Sequence, residues 1–355
     1  MSYMDILIMI IAATIVLGFL VFIHEGGHFL AARLFGVRVT EFMIGLPGPS
    51  VGFTKGETRF GITCVPLGGY ANVCGMAPAS NSPHLKRVLG YVYRKGSVYS
   101  EDVAHDLCLT EDESYELLEE LADWGSITRP HRKDKHNIYR TPARLSGEEG
   151  KACPIANLQD FFLCEQACQY STLPFWKRCI ILLAGPFMNL LWVFFAFIVV
   201  YSVMGLDLQN TNTGEVFHYN WAPWDAIYMG IHYLGMVLAA VVSLFNPATI
   251  GETISQSTSI VGIAVMSKDA FEAGIQDFLF FSAVISASLG FMNLIPIPPL
   301  DGGRFVVEVF QKISRKVVSI RALGYLSMAG FALFMGLFVV MLNQDVQRFV
   351  FGNWG

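Results

Sequence analysis

The chain has 355 residues, 53% of them hydrophobic and 15% charged, with a net charge of −5 and a mean hydropathy of +0.47. Soluble domains carry about a quarter charged residues, so this composition excludes a surface that faces mostly water. The net charge says little by itself, because the signs are unevenly placed along the chain.

Ile6–Ile23 contains no Asp, Glu, Lys or Arg, and the same holds for Cys179–Leu206, Phe278–Leu300 and Ala322–Gln344. Each is long enough to cross a hydrocarbon core of about 30 Å as a helix. The first lacks a basic leader and a small-residue cleavage site and runs straight into His24, so it reads as a retained span. It closes on His24-Glu25-Gly26-Gly27-His28. Residues four apart on a helix stand one above the other, which lets two imidazoles grip one metal ion. Glu25 then lies beside the ion, where it can take a proton from water. The bland alternative is an interfacial helix end, but ionisable groups at membrane depth are costly and functional by default.

Val51–Thr54 and Phe60–Val65 have strand character around a Lys55-Gly56-Glu57 turn. Residues 77–172 then form an insert of soluble composition. Its helical patterns fall at Leu85–Arg94, Ser100–Leu107 and Glu111–Trp124, the last opened by a Thr110-x-x-Glu113 capping box. Ile127–Thr128 and Ile138–Tyr139 flank a turn rich in Arg129, Arg132, Lys133, Lys135 and Arg140, so the insert reads as winged-helix-like. Its would-be recognition helix is acidic from Glu111 to Asp123, whereas phosphate binding requires the opposite sign. No nucleic-acid partner is expected; a cytoplasmic protein partner at residues 85–140 fits better, and a solvated module without a partner is the plainer reading. Of the seven cysteines, Cys153, Cys164 and Cys168 could hold a second metal, though buried reduced thiols are the simpler expectation.

Ala226–Phe245 is a fifth apolar stretch. Its Pro223 and Asp225 entry and Asn246–Pro247 exit suit a helix that lies at the interface or re-enters. A fifth crossing would also put the ends of the first and third spans on opposite faces, so this stretch is expected not to span. The third span closes on Asn293-Leu-Ile-Pro-Ile-Pro-Pro-Leu-Asp-Gly-Gly303, where the prolines break the helix and free the backbone to aim Asp301 sideways. Gly302 and Gly303 permit close approach or a positive φ. An ordinary Asp-Gly turn is the alternative, yet a catalytic zinc needs three protein ligands and an open position. Asp301 with His24 and His28 supplies the three.

Arg33 through Arg178 and Arg304 through Arg321 contain 22 of the 24 Lys and Arg residues, leaving Lys268 and Arg348 for the other side. Cations stay on the cytoplasmic face, which predicts both termini outside and the insert inside.

Taken together, these stretches resemble the site-2 protease family of intramembrane zinc metalloproteases, in its bacterial regulated-proteolysis form. The resemblance is carried by residues 19–76, with the zinc helix, Gly45-Leu-Pro-Gly-Pro49 and Pro66-Leu-Gly-Gly-Tyr70. It continues through residues 174–204, with Trp176-Lys-Arg and Ala184-Gly-Pro-Phe-Met-Asn189, and through 256–310, with Ser259-Ile-Val-Gly-Ile263 and the run to Gly303. It implies an α-helical polytopic protein of the cytoplasmic (inner) membrane, with four transmembrane helices and a membrane-dipping β-hairpin. It also implies Zn2+ on His24, His28 and Asp301, Glu25 as general base, and Asn189, Asn293, Gly68 and Gly69 in substrate binding. The substrate would be a transmembrane segment of another protein, unwound and paired with the free edge of the hairpin region. Residues 1–76 would hold the zinc helix and hairpin, 77–172 the insert, and 173–355 the remaining core. Within that core, spans fall at about 179–204, 278–298 and 322–343, and an interfacial helix at about 226–245. The chain departs from the family in residues 207–277, which leave no room for the usual PDZ domain. Two other readings stand beside this one. A non-catalytic, zinc-stapled membrane receptor acting through the insert would have no use for Glu25, and a zincin of another family would need a third ligand other than Asp301.

Overall fold

A helix that is apolar all round has no face to turn to water and must be covered by lipid or by other helices. In a computed structural model, five helices among the described residues are long and apolar enough to cross a membrane, so the chain is a polytopic, mostly helical membrane protein. The structure describes every residue other than 1–2, 65–67, 78–81, 132–133, 135–136, 210–214, 317 and 352–355.

α1 (Tyr3–Leu34) is the first of the five and leads into a four-stranded sheet. The sheet contains β1 (Val39–Ile44), β2 (Ser50–Lys55), β3 (Thr58–Thr63) and β4 (Gly69–Val73), in the order β2-β3-β1-β4. β2 and β3 are the expected hairpin. β1 runs parallel to β3 and antiparallel to β4, which leaves β4 on an edge. The Gly45 N–H donates to the Gly68 carbonyl and the Cys74 N–H to the Arg38 carbonyl. Even-numbered residues of β4 therefore face β1, and residues 69, 71 and 73 turn their backbone groups to the free edge.

The insert comprises α2 (Leu85–Lys95), β5 (Ser97–Tyr99), α3 (Ser100–Leu107), α4 (Glu111–Asp123), β6 (Ile138–Arg140), α5 (Ala143–Ser146) and α6 (Leu158–Ala167). Thr110 caps α4 as expected, its hydroxyl accepting from the Glu113 N–H. β6 pairs with β5, and Thr128 only bridges to Arg140, so the pairing differs from a simple 127–139 hairpin. Arg132, Lys133 and Lys135 of the basic turn lie outside the described residues. The insert has its own core, in which Val88, Leu89, Val92, Tyr93, Leu118 and Leu121 are fully buried.

The insert is tied to the sheet by a buried ionic junction. Both Arg38 guanidinium ends grip Glu165, at 2.7 and 3.1 Å, and Arg38 also donates to the Trp124 carbonyl. Burial alone would raise the Glu165 carboxyl, but Arg38 and Arg144 outweigh it and hold the group below its usual range.

After a turn at Tyr170–Thr172, α7 (Phe175–Phe197) continues as a π-helical Ile198–Met204. Next come β7 (Leu206–Gln209), β8 (Val216–Tyr219), α8 (Pro223–Ser243), α9 (Ile250–Gln256) and α10 (Ile260–Ala273). The two ends of this segment lie together: the Trp221 N–H donates to the Tyr201 carbonyl, and the Gln276 amide to the Gly205 carbonyl. α11 (Ile275–Asn293), α12 (Asp301–Ser314) and α13 (Ile320–Asp345) complete the chain, with a last π-helical turn at Val346–Val350. The described residues between 206 and 277 thus form a two-stranded hairpin, β7 with β8, and the helices α8, α9 and α10.

α7 is central, packing against both α1 and α11. Gly27 of α1 makes the first contact close, since a Cβ there would stand 2.4 Å from the Ala184 carbonyl oxygen. Gly26 faces open space.

Candidate metal centre

His24 and His28 lie one turn apart on α1, and their Nε2 atoms converge to 3.3 Å. α11 stops at Asn293, and the proline-broken turn that follows carries Asp301 to the same point. Its Oδ2 lies 3.1 Å from His24 Nε2 and 3.2 Å from His28 Nε2. Gly302 and Gly303 serve close approach: a Cβ at either would stand 2.2 or 2.3 Å from the backbone of residues 294 and 298.

Tetrahedral ligands about 2.0–2.1 Å from a zinc ion lie about 3.3 Å apart, which matches these three separations. Among the described residues, this is the one group of His, Cys, Asp or Glu close enough to hold an ion, and Cys153, Cys164 and Cys168 form no such group.

The surrounding hydrogen bonds fit the same use. The His28 Nδ1–H donates to the Ile181 carbonyl at 2.7 Å, which leaves Nε2 bare. Gly185 makes room for this ring, because a Cβ there would stand 2.2 Å from Nε2. The Asn189 amide lies 3.3 Å from His24 Nδ1, and its Oδ1 is a buried atom without another partner. The amide orientation that satisfies both residues has Oδ1 accepting from the Nδ1–H, which again leaves Nε2 free for an ion. The residues present therefore suit zinc.

Glu25 points towards the sheet, where Oε2 accepts from the Ala71 N–H at 2.9 Å. One cavity of about 270 Å3 is lined by His24, Glu25, Asp301, Asn189, Asn293, Gly68 and Gly69, along with Leu20, Val21, Leu289, Pro299 and Leu300. His28 does not line it, but its Nε2 lies 3.3 Å from His24 Nε2 and 3.2 Å from Asp301 Oδ2, which belong to residues that do. Seven of the eight site residues proposed from the sequence line this one cavity and His28 adjoins it, although Pro66 and Leu67 of the glycine motif lie outside the described residues. A larger cavity of about 480 Å3 lies farther along β4, between Asn72, Asp123, Tyr170 and α12, and holds none of the three candidate ligands.

Three contributors escaped the sequence reading: the Ile181 carbonyl, the Ala71 amide and the space at Gly185. The first two are backbone groups, invisible to residue type. Gly185 sits in the quoted Ala184-Gly-Pro motif, which was the available signal.

Comparison with known proteins identifies the family. Residues 12–337 match the model of Peptidase family M50. The chain is 23% identical to zinc metalloprotease RasP of Oceanobacillus iheyensis, over 96% of this chain and 99% of that protein. It is 24% identical to zinc metalloprotease RasP of Geobacillus kaustophilus, over 96% and 98% of the two chains. It is also 23% identical to the regulator of sigma-W protease RasP of Bacillus subtilis, again over 96% and 98%. A family model spanning most of the chain, over a site of this composition, leads to one conclusion: the chain belongs to peptidase family M50.

Proposed function

We propose that the chain is an intramembrane zinc endopeptidase that cuts transmembrane segments of other membrane proteins. The observation that carries this is the convergence of His24, His28 and Asp301 beside Glu25, on a cavity within a bundle of apolar helices. A zinc ion held there supplies Lewis acidity, activating water and polarising the carbonyl to be cut. Glu25 accepts the proton from the attacking water and delivers it to the leaving amine. Ile181 and Asn189 hold the two imidazoles with Nε2 towards the ligand point.

Substrate positioning falls to the free edge of β4 rather than to the β2–β3 hairpin itself. A transmembrane helix must unwind to expose a peptide bond, and lipid cannot satisfy the groups it frees. The edge at residues 69, 71 and 73 offers them a ladder that runs past the Glu25 carboxylate, which itself takes the Ala71 N–H. Gly68 and Gly69 keep this edge approachable, and Asn189 and Asn293 line the opposite side.

The connectivity supports four crossings by α1, α7, α11 and α13. The chain leaves α7 and enters α11 at the same end, so any descent of α8 into the bilayer is reversed by α10. With the cationic loops inside, both termini lie outside and the insert is cytoplasmic. The insert is winged-helix-like and serves a protein partner. Its acidic α4 disfavours nucleic acid, and Arg129 and Arg140 of the turn are paired with Glu119 and Asp134.

Purified full-length wild type, Glu25→Gln and Asp301→Ala, each also co-expressed with tagged single-span proteins, test the assignment. Wild type and Glu25→Gln should hold one zinc per chain while Asp301→Ala loses it, and only wild type should cut. Equal cutting by Glu25→Gln would overturn the mechanism, and full zinc in Asp301→Ala would overturn the ligand set.

A further inference from the structure

α12 is amphipathic in a way the proposed chemistry does not use. Val306, Phe310 and Ile313 recur at helical spacing and are 45%, 54% and 78% exposed, while Gly302, Gly303 and Glu308 turn inward. The helix lies between α11 and α13, both long and apolar enough to span, so its stripe runs at the bilayer boundary.

The end of α12 and the segment after it carry Lys312, Arg315 and Lys316. With Arg178 and Gln311 they line a concavity of about 430 Å3. No carboxylate of the described residues lies within ion-pair distance of these three cations. Glu308, the acid of this corner, is engaged by Arg178 at 3.0 Å and by the Tyr170 hydroxyl at 3.3 Å. The C-terminus of α12 contributes only about half a negative charge. Among the described residues, the three cations converging on one hollow at a membrane surface are therefore left without a counter-charge.

We propose that this hollow binds the phosphate headgroup of an anionic phospholipid, whose acyl chains lie along Val306, Phe310 and Ile313. The Arg fork and the Lys ammonium groups suit phosphate oxygens. The apolar stripe selects a lipid over a soluble phosphate, because a soluble ligand would leave it without a partner. Asp301 opens the same helix, so a headgroup held at one end restrains the element that presents a candidate zinc ligand at the other. Lipid binding requires only that α11 and α13 lie in a bilayer, and it would survive loss of the protease assignment.

Full-length protein, delipidated in neutral detergent, is titrated with phosphatidylglycerol or phosphatidylcholine, and bound lipid is read by native mass spectrometry. Wild type should retain phosphatidylglycerol preferentially. Each cation near an anionic surface is worth roughly fivefold in affinity, so Lys312→Gln/Arg315→Gln/Lys316→Gln should weaken that retention about a hundredfold without changing phosphatidylcholine. Lys86→Gln/Arg87→Gln/Lys95→Gln, which removes as many cations from the insert, should change neither. Lys312→Arg/Lys316→Arg should keep the preference, which separates lost charge from a damaged fold. Equal retention of both lipids would overturn the proposal. So would a triple variant within twofold of wild type, or loss of the preference in the arginine variant. Displacement by millimolar inorganic phosphate would assign the hollow to a soluble anion and overturn the lipid.

Discussion

A methyl group on Gly185 would stand 2.2 Å from His28 Nε2, and one on Gly27 would stand 2.4 Å from the Ala184 carbonyl oxygen, yet one on Gly26 would meet nothing within 4 Å. These three glycines should therefore respond differently to the same substitution. Gly185→Ala pushes the His28 imidazole off the ligand point, so bound zinc per chain should drop several-fold in elemental analysis while the melting temperature stays near wild type. Gly27→Ala forces α1 and α7 apart and should destabilise by about 1–3 kcal/mol, read as a lower melting temperature. Gly26→Ala should be neutral or stabilising by up to about 1 kcal/mol, since Ala is the better helix former. In the sequence, the two middle glycines of the zinc helix looked alike. What separates them is which neighbour stands opposite, and that depends on the angle at which α7 crosses. The convergence of the three candidate ligands was legible because His24 and His28 are fixed by helical spacing and Asp301 is the acid that closes another apolar run. Ile181 and Ala71 were not, because a backbone carbonyl and amide carry no signature in residue type.

At the level of elements, the junction between insert and sheet rests on Glu165, which is 5% exposed and gripped by Arg38, Arg144 and Ser126. Removing one member of a buried pair leaves the other charge uncompensated and costs about 3–5 kcal/mol. Glu165→Gln should accordingly lower the melting temperature of the full chain at pH 7. The sign of the pH dependence follows from the depressed carboxyl of Glu165. Its stabilisation is complete above the unfolded value of about 4.3 and is lost as pH falls below that, through the folded value. Thermal melts from pH 7 down to 3 should show the gap between wild type and Glu165→Gln close only at the acid end. A gap independent of pH would show that packing, not charge, sets the junction. α2, α3 and α4 of this insert were readable almost to the residue, because polar and apolar positions alternate with helical period around a soluble core, whereas α5 and α6 went unread. β1 and β4 went unread, since they are short, partly buried on both faces and paired across long gaps in sequence. Within that four-stranded sheet only the β2–β3 hairpin, with its glycine turn, announced itself locally.

At the scale of the whole molecule, the site exists only if α1 and α11 descend to the same face, because His24 lies towards the end of one and Asp301 just beyond the end of the other. The cationic loops then decide which face that is, and the free cysteines offer a direct reading of it. All seven fall between Cys64 and Cys179, and Cys108 and Cys164 are exposed. With both termini outside, a membrane-impermeant maleimide added to intact cells should leave the wild-type chain unlabelled, and cell lysis should admit the label. Val216→Cys, on the exposed strand β8 at 66% exposure, should label in intact cells. Asn246→Cys, beyond the far end of α8, reports whether that helix crosses: labelling only after lysis marks a crossing that α10 must reverse. Labelling of the native cysteines in intact cells would invert the orientation, and with it the side from which water must reach Glu25.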